Sequence, residues 1–135
     1  MKILLLDPAG ALVDFGLRCL MEGHEVKQWI RKHGSEPSKI ARDLIERVNF
    51  WQPHMKWADI VVLSDNAYEM RDLEKYNEDG YPIFGTNMLG AKLELDRDYG
   101  MDVMKRAGLN VMPSKEFKTY NEAIENDCDL ILWSG

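Results

Sequence analysis

The sequence has 135 residues, of which 45% are hydrophobic and 30% charged, and its formal net charge is −6 at pH 7. This composition is most simply that of one soluble globular domain, and the negative charge argues against a nucleic-acid partner. Since the apolar runs fall well short of the roughly 18–20 residues that span a bilayer, we expect a cytoplasmic protein with no membrane partner.

The first thirty residues alternate between short apolar runs and a helical pattern. Residues 2–6 predict a strand buried on both faces, residues 11–22 a helix and residues 25–30 a second strand. Residues 7–10 predict the turn between the first strand and the helix. Strand, helix and strand in this order are the opening of a Rossmann-like unit.

The middle of the chain contains a less regular pattern and then a clear strand. Apolar residues at helical spacing favour a helix over residues 38–47, and residues 49–57 predict a loop or one helical turn. The tryptophans of residues 51–57 either pack over the sheet or form a surface for a partner. Residues 58–63 predict a third strand, and residues 68–79 a helix.

Residues 80–125 predict one strand followed by three helices. Residues 82–84 predict a short fourth strand. We expect Thr86 to cap the first of the helices and Asp96 the second, and Gly108 to end the second helix in a left-handed conformation. Thr119 and Glu122 have the spacing of a capping box, which would open the third helix.

The C terminus and the cysteines complete the pattern. Residues 128–133 are apolar and predict a last strand. Cys19 and Cys128 are far apart in the sequence, so we expect buried free thiols rather than a disulfide or a metal site. The three histidines lack metal-ligand spacing, and we predict no metal site.

These elements predict an α/β fold, with an open, mostly parallel Rossmann-like sheet and helices on both faces. Such sheets bind ligands beyond the carboxyl ends of their strands. Two turns are therefore candidate sites: the first turn (Asp7, Gly10 and Ala11) and the second turn (Ser64, Asp65 and Asn66). Each turn also has a structural interpretation, because aspartate, asparagine and serine commonly close turns and cap helices.

Four stretches of the sequence resemble the junction between the N-terminal and ATP-grasp domains of phosphoribosylamine–glycine ligases. The family's G-x-P-x-F-G-P-S stretch is GYPIFGTN at residues 80–87, and its leucine–glutamate pair is Leu93 and Glu94. Its serine–lysine pair is Asp96 and Arg97, and its G-[IL]-x-x-P turn lies at residues 108–113. Biotin carboxylases carry a similar stretch, so the resemblance specifies the superfamily better than the member.

The resemblance implies a pre-ATP-grasp domain at residues 1–95, and a linker helix with the truncated start of an ATP-grasp lobe at residues 96–135. In the family, the loop after the first strand holds the phosphate of a phosphoribosyl substrate, and a G-P-E loop that corresponds to the second turn faces the substrate. The resemblance therefore implies substrate binding by both turns. Here that loop lacks the family's arginine, glutamate and histidine, and Pro8 has no amide to donate. Arg97 stands where the family has a lysine associated with ATP binding, so the resemblance implies that Arg97 binds ATP. The alternative is that Arg97 is an exposed helix residue that pairs with Asp96 or Glu94.

The function implied by the resemblance is carbon–nitrogen ligation through an acyl phosphate in purine biosynthesis, with ATP and magnesium as cofactors of the full-length enzyme. The sequence lacks the family's second lysine, glycine-rich flap and acidic metal ligands. We therefore expect no catalytic residue here, no tight cofactor binding by this chain alone, and partners in the missing ATP-grasp lobes or a second subunit. The alternatives are a diverged ATP-grasp relative with another substrate, and a non-enzymatic Rossmann-like interaction module.

Overall fold

The computed structural model describes residues 1–31, 39–66, 69–112 and 117–126. The chain divides into two compact units, Met1–Gly100 and Met101–Gly135. The sequence predicts a different boundary, after residue 95, where an ATP-grasp lobe would begin. That boundary stays a prediction. Among the described residues, every helix is too short or too polar to cross a bilayer.

The first unit contains a parallel sheet, and the described residues include five of its strands. They are β1 (Lys2–Leu6), β2 (Glu25–Trp29), β3 (Glu46–Val48), β4 (Ile60–Leu63) and β5 (Ile83–Phe84), in the spatial order β3-β2-β1-β4-β5. Every pairing is parallel, and β1 lies between β2 and β4. The predicted α/β, Rossmann-like fold class is therefore confirmed.

Two helices of the first unit pack on opposite faces of this sheet. The described α-helices are α1 (Val13–Met21), α2 (Met70–Glu78), α3 (Met88–Leu95), α4 (Arg97–Arg106) and α5 (Tyr120–Asn126), and Gln52–His54 forms a 3₁₀ turn. Ile3 and Leu5 of β1 belong to a buried cluster with Val13 and Cys19 of α1. Leu4 and Leu6 belong to the opposite cluster, which includes Leu73 of α2. Alternate residues of β1 thus face alternate cores, as the two-residue period of a strand requires.

The tryptophan-rich segment packs against the sheet. Trp51 and Met55 are 1% and 2% exposed, in the same cluster as Leu4 and Leu6. Trp57 is half-buried and packs against that cluster, with Lys27 Nζ 4.7 Å from its ring centroid. The interpretation as a partner surface is wrong for these residues, because their apolar area is buried inside the first unit. Of the two predicted alternatives, a loop or one helical turn, the 3₁₀ turn at Gln52–His54 confirms the second.

The helix predicted over residues 38–47 is wrong. Residues 40–44 form turns, Ala41 adopts a left-handed φ of 52°, and Glu46–Val48 pairs with β2 as strand β3. A left-handed residue without glycine's freedom interrupts a right-handed helix. Ile45 and Val48 mimic helical spacing, yet they are buried in opposite clusters on the two sides of the sheet.

The helix ends agree with most of the predicted caps. Asp96 Oδ1 accepts a hydrogen bond from Tyr99 N at 3.0 Å, and Gly108 has a φ of +77°, as expected. Thr119 Oγ1 accepts from Glu122 N at 3.2 Å. The cap predicted at Thr86 is wrong: Asn87 has the extended backbone of an N-cap, and its Oδ1 accepts from Gly90 N at 2.9 Å. The strand predicted at residues 128–133 and the thiol of Cys128 lie outside the described residues.

Candidate functional site

The first turn is organised by the carboxylate of Asp7, which directly follows β1. Its side chain is fully buried. Oδ1 accepts a hydrogen bond from Ala11 N at 2.8 Å, and Oδ2 accepts from Leu12 N, also at 2.8 Å. Gly10 has a φ of +80°, which lets the chain turn back so that these amides point at the carboxylate. Asp7 therefore binds the amides that lead into α1.

This geometry changes what the first turn offers to a ligand. Free amides before a helix are a ready anion site, since they carry partial positive charge and need acceptors. Here the amides of Ala11 and Leu12 already have a carboxylate acceptor within the chain. Contact between a substrate and Asp7, Gly10 or Ala11 stays a prediction.

Two residues that the sequence did not single out surround Asp7. Gln28 of β2 donates from Nε2 to Asp7 Oδ2 at 2.5 Å. Arg47 of β3 pairs with Gln28 in the sheet register, and its Nη2 donates to the carbonyl oxygen of Ile40. Burial lowers the pKa of the Arg47 guanidinium, and the negative charge of Asp7 opposes that lowering. The sequence signal that could have identified Gln28 is its position as a polar residue among the buried residues of β2.

This polar cluster of Asp7, Gln28 and Arg47 is not fully satisfied. Among the described residues, Gln28 Oε1 and Arg47 Nε and Nη1 are buried without a hydrogen-bond partner. Buried polar atoms normally have partners, so these three atoms are energetically unfavourable as they stand. They are also inaccessible, and they are therefore poorly placed to meet a ligand at the surface.

The second turn lines a cleft of about 410 Å³. The cleft's lining consists of Leu63, Ser64, Asp65, Asn66, Gly85, Thr86 and Glu94. The three residues of the second turn are half-buried there, and Ser64 N donates to the carbonyl oxygen of Leu6 at 3.1 Å. The structure thus brings Ser64, Asp65 and Asn66 together in one cleft at the carboxyl ends of β4 and β5.

Two contacts shape the walls of this cleft. Asn66 Nδ2 donates to Glu94 Oε2, which joins the second turn to α3. On the other side, Gly85 approaches Leu63 so closely that an added Cβ would lie 2.6 Å from Leu63 Cδ1. A larger residue at position 85 would displace the loop after β5, so glycine allows the narrow spacing between β4 and that loop.

Sequence reasoning missed four lining residues of the cleft: Leu63, Gly85, Thr86 and Glu94. The last three lie in the stretches that carry the family resemblance, at residues 80–87 and 93–94. The resemblance implies no site role for these three side chains. Their proximity to the second turn depends on tertiary packing, because Asn66 and Glu94 are 28 positions apart.

The remaining predicted site residues lie outside the described lining of the cleft. Asp7 and Ser64 follow the paired residues Leu6 and Leu63 of neighbouring strands, so both turns share one edge of the sheet. Arg97 is exposed at the start of α4. The two acidic residues that the sequence suggests as ion-pair partners of Arg97 make other contacts. Asp96 Oδ2 lies 3.9 Å from Lys92 Nζ, and Glu94 Oε2 accepts a hydrogen bond from Asn66 Nδ2. ATP binding by Arg97 stays a prediction.

A second, larger groove of about 710 Å³ lies between α2 and α3. Met70 and Ala91 are its buried apolar residues, and Leu89 and Leu95 line it while 67% and 58% exposed. Asn66 lines both this groove and the cleft. Within the described parts of the chain, no three His, Cys, Asp or Glu side chains are grouped so as to hold a metal ion.

Comparison with known proteins places this fold among solved structures. No family model matches the sequence, and no curated protein matches it. The chain is similar to the crystal structure of N5-carboxyaminoimidazole ribonucleotide synthetase from Thermotoga maritima, with a TM-score of 0.64 and 16% identity. The two chains share a fold. The match covers 92% of this chain and 35% of that one, so the present chain spans about a third of its neighbour's length.

Proposed function

We propose that the chain is the N-terminal part of an ATP-grasp ligase, which joins an acid to an amine through an acyl phosphate. The observation that carries this proposal is the cleft at the carboxyl ends of β4 and β5, within a fold shared with a purine-biosynthesis ATP-grasp ligase. Parallel α/β sheets bind their ligands at this edge. A polar cleft of several hundred cubic ångströms is of the size that small substrates use.

Within this proposal, Ser64, Asp65 and Asn66 bind the substrate that is not ATP. The hydrogen bond between Asn66 and Glu94 holds the amide in place, so that its carbonyl oxygen can accept from a ligand. Arg97 would meet a phosphate of ATP at the entrance to the ATP-grasp lobe, where a guanidinium can bind two oxygens at once. ATP and magnesium would be held mainly by lobes that these 135 residues do not include.

Two members of this class remain candidates. Phosphoribosylamine–glycine ligase is supported by the resemblance over residues 80–113, and its substrate would be a phosphoribosyl compound. A diverged relative with another substrate is favoured by Asp7, whose carboxylate occupies the amides that a phosphate would need. The fold likeness at 16% identity does not discriminate between them. We favour the diverged relative, because the Asp7 geometry is a direct property of this chain.

The test begins with the complete reading frame that encodes residues 1–135. We expect it to continue beyond Gly135 with a glycine-rich flap and acidic metal ligands, and its product to release phosphate from ATP and magnesium. The release should depend on an added acid, for which glycine and bicarbonate are the first probes, and on an amine. The isolated 135-residue chain should release none. A reading frame that ends at Gly135, or turnover by the isolated chain, would overturn the proposal.

A variant of the full-length enzyme locates the substrate. Asn66→Ala should raise the KM for the acid or amine by at least about tenfold, since one hydrogen-bonding group is lost, with the KM for ATP unchanged. Asn110→Ala is the control, because Asn110 is exposed in the second unit. If the two variants behave alike, the cleft is not the substrate site.

A further inference from the structure

Three polar atoms inside the first unit lack hydrogen-bond partners within the described parts of the chain. They are Gln28 Oε1 and the two Arg47 nitrogens Nε and Nη1, and all three are buried. Gln28 lies on β2 and is fully buried, whereas Arg47 lies on β3 and is half-buried as a whole residue. A buried polar atom has lost its contact with bulk water, so each of these atoms needs a partner inside the fold.

The register of the sheet brings these atoms to neighbouring positions. Gln28 pairs with Leu5 of β1 and with Arg47 of β3, so the three side chains leave the sheet on the same face. Leu5 belongs to the buried cluster that includes Val13 of α1, which identifies this face as the one on which α1 packs. One acceptor and two donors without partners therefore lie on adjacent strands, which are about 4.7–4.9 Å apart in a sheet.

Gln28 and Arg47 are chemically complementary, yet they do not hydrogen-bond to each other. Gln28 donates from Nε2 to Asp7 Oδ2 at 2.5 Å, and this bond fixes which end of its amide remains an unused acceptor. Arg47 donates from Nη2 to the carbonyl oxygen of Ile40. Each side chain is thus held by another contact, and a polar pair that is kept out of direct contact is commonly bridged by water.

The charges around these atoms restrict what could join them. An anion suits Arg47, but it cannot donate to Gln28 Oε1, and it would lie near the buried carboxylate of Asp7. A metal cation suits Gln28 Oε1, but it would lie near the guanidinium of Arg47, which interacts electrostatically with Asp7. Water both donates and accepts, carries no net charge and is small enough for an interior site.

We propose that a buried water bridges Gln28 Oε1 and the guanidinium of Arg47, in a hydration site that joins β2 to β3. The water donates to Gln28 Oε1 and accepts from one of the two unpaired nitrogens. The other nitrogen donates to a second water, because the two N–H groups leave the planar guanidinium at different edges. Through Gln28, the bridge connects Arg47 of an outermost described strand to Asp7, and so to the entry of α1.

Nuclear magnetic resonance detects such waters in solution. In the isotope-labelled chain, we expect the side-chain amide protons of Gln28 and the Nε proton of Arg47 to show nuclear Overhauser effects to water, with the sign of a water that tumbles with the protein. The Nε proton of Arg71, an exposed residue of α2, is the control in the same sample and should show only short-lived hydration. Rapid exchange of the Arg47 Nε proton with bulk solvent, or no effect from water at Gln28, would overturn the proposal.

A variant shows whether the guanidinium holds the water. Arg47→Met replaces it with a flexible apolar side chain, and the water signals of Gln28 should then disappear because the water loses its donor. Glu46→Gln is the matched control: it removes a charge from the ion pair with Lys27, at 3.0 Å on the same two strands, and leaves Arg47 in place. It should retain the signals. Persistence of the signals in folded Arg47→Met would contradict the bridge, and if that variant does not fold, the spectra of the unaltered chain decide.

A high-resolution crystal structure locates the water independently and needs no substitution. We expect a solvent peak within about 2.7–3.2 Å of both Gln28 Oε1 and an Arg47 nitrogen. A direct hydrogen bond between the two side chains, with no solvent peak between them, would overturn the proposal. The hydration site is a property of the folded first unit, so either result leaves the proposed ligase function unaffected.

Discussion

Gln28 Nε2 donates to Asp7 Oδ2 across 2.5 Å, which joins the second strand of the sheet to the turn after the first. The same carboxylate accepts the amides of Ala11 and Leu12. One fully buried side chain therefore fixes a strand, a turn and the entry to a helix. Its removal would affect all three.

We expect Asp7→Ala to lower the free energy of unfolding by about 2–4 kcal/mol, because two amides lose their acceptor and Gln28 loses its partner. Urea unfolding followed by circular dichroism measures the change. Asp14→Ala is the matched control: Asp14 is exposed in the first turn of α1, and its loss should cost only about 0.3–1 kcal/mol of helix-dipole interaction. Equal losses in the two variants would show that the buried hydrogen bonds contribute little.

Tyr81 makes stability sensitive to alkaline pH. Its hydroxyl donates to the carbonyl oxygen of Ala58 at 3.0 Å and also approaches that of Met55. Burial raises the pKa of Tyr81, and Asp59 and Tyr76 raise it further. Because the folded protein holds this proton more tightly, the contribution is complete below about pH 10 and is lost as pH rises through the folded-state pKa.

Tyr81→Phe should therefore lose about 0.5–1.5 kcal/mol at neutral pH and show a smaller further decline as the pH rises above about 10. Urea unfolding at neutral pH and at a series of pH values above about 10 measures both effects. Tyr99→Phe is the control, because its ring contact with Lys92, at 4.2 Å from nitrogen to centroid, needs no hydroxyl. A Tyr81→Phe variant whose alkaline decline matches that of the unaltered protein would refute the assignment.

The cap of α3 distinguishes two neighbouring side chains. Asn87→Ala should destabilise α3 by about 1 kcal/mol, because Gly90 N loses its acceptor. Thr86→Ala should cost less, since the hydroxyl donates weakly to the carbonyl oxygen of Asn87 at 3.3 Å and caps no amide. Hydrogen exchange of the α3 amides reports the local effect. Faster exchange in Thr86→Ala than in Asn87→Ala would reverse the assignment of the cap.

Two helical glycines should respond differently to alanine. A Cβ at Gly100 would lie 2.3 Å from the carbonyl oxygen of Leu93, a backbone atom that cannot rotate away. We expect Gly100→Ala to lower the midpoint of thermal unfolding, with a loss of about 1–3 kcal/mol. At Gly90 the nearest atom is the hydroxyl oxygen of Thr86, at 2.1 Å, and that side chain can turn. Gly90→Ala should be tolerated, because alanine favours helix by about 1 kcal/mol. A larger loss at Gly90 than at Gly100 would contradict this reasoning.

Most of the sheet could be predicted because its strands are apolar runs between turn residues. β1, β2, β4 and β5 each lie within a predicted strand, and their parallel direction follows from the alternation of strands and helices along the chain. β3 could not be predicted, because its three residues follow a stretch with helical spacing. Its pairing with β2 is a tertiary preference that outweighs the local pattern.

The candidate site was predictable only in part. The second turn followed from topology alone, since residues after a parallel strand lie at the ligand-binding edge. Thr86 and Glu94 join it through packing of distant segments, which no local spacing reveals. At the first turn, the sequence suggested that Asp7 lies near a helix start. The donor Gln28, on another strand, could not be inferred from that motif.

The outermost strands of the described sheet are very short, with three residues in β3 and two in β5. A long exposed strand offers a row of unpaired amides and carbonyls on which a second molecule can build, and this is a common route to fibrils. Lys27 and Glu46 form an ion pair at 3.0 Å beside β3, which places charge next to one of these borders. The described strands thus offer little template for intermolecular β-pairing at either border of the sheet.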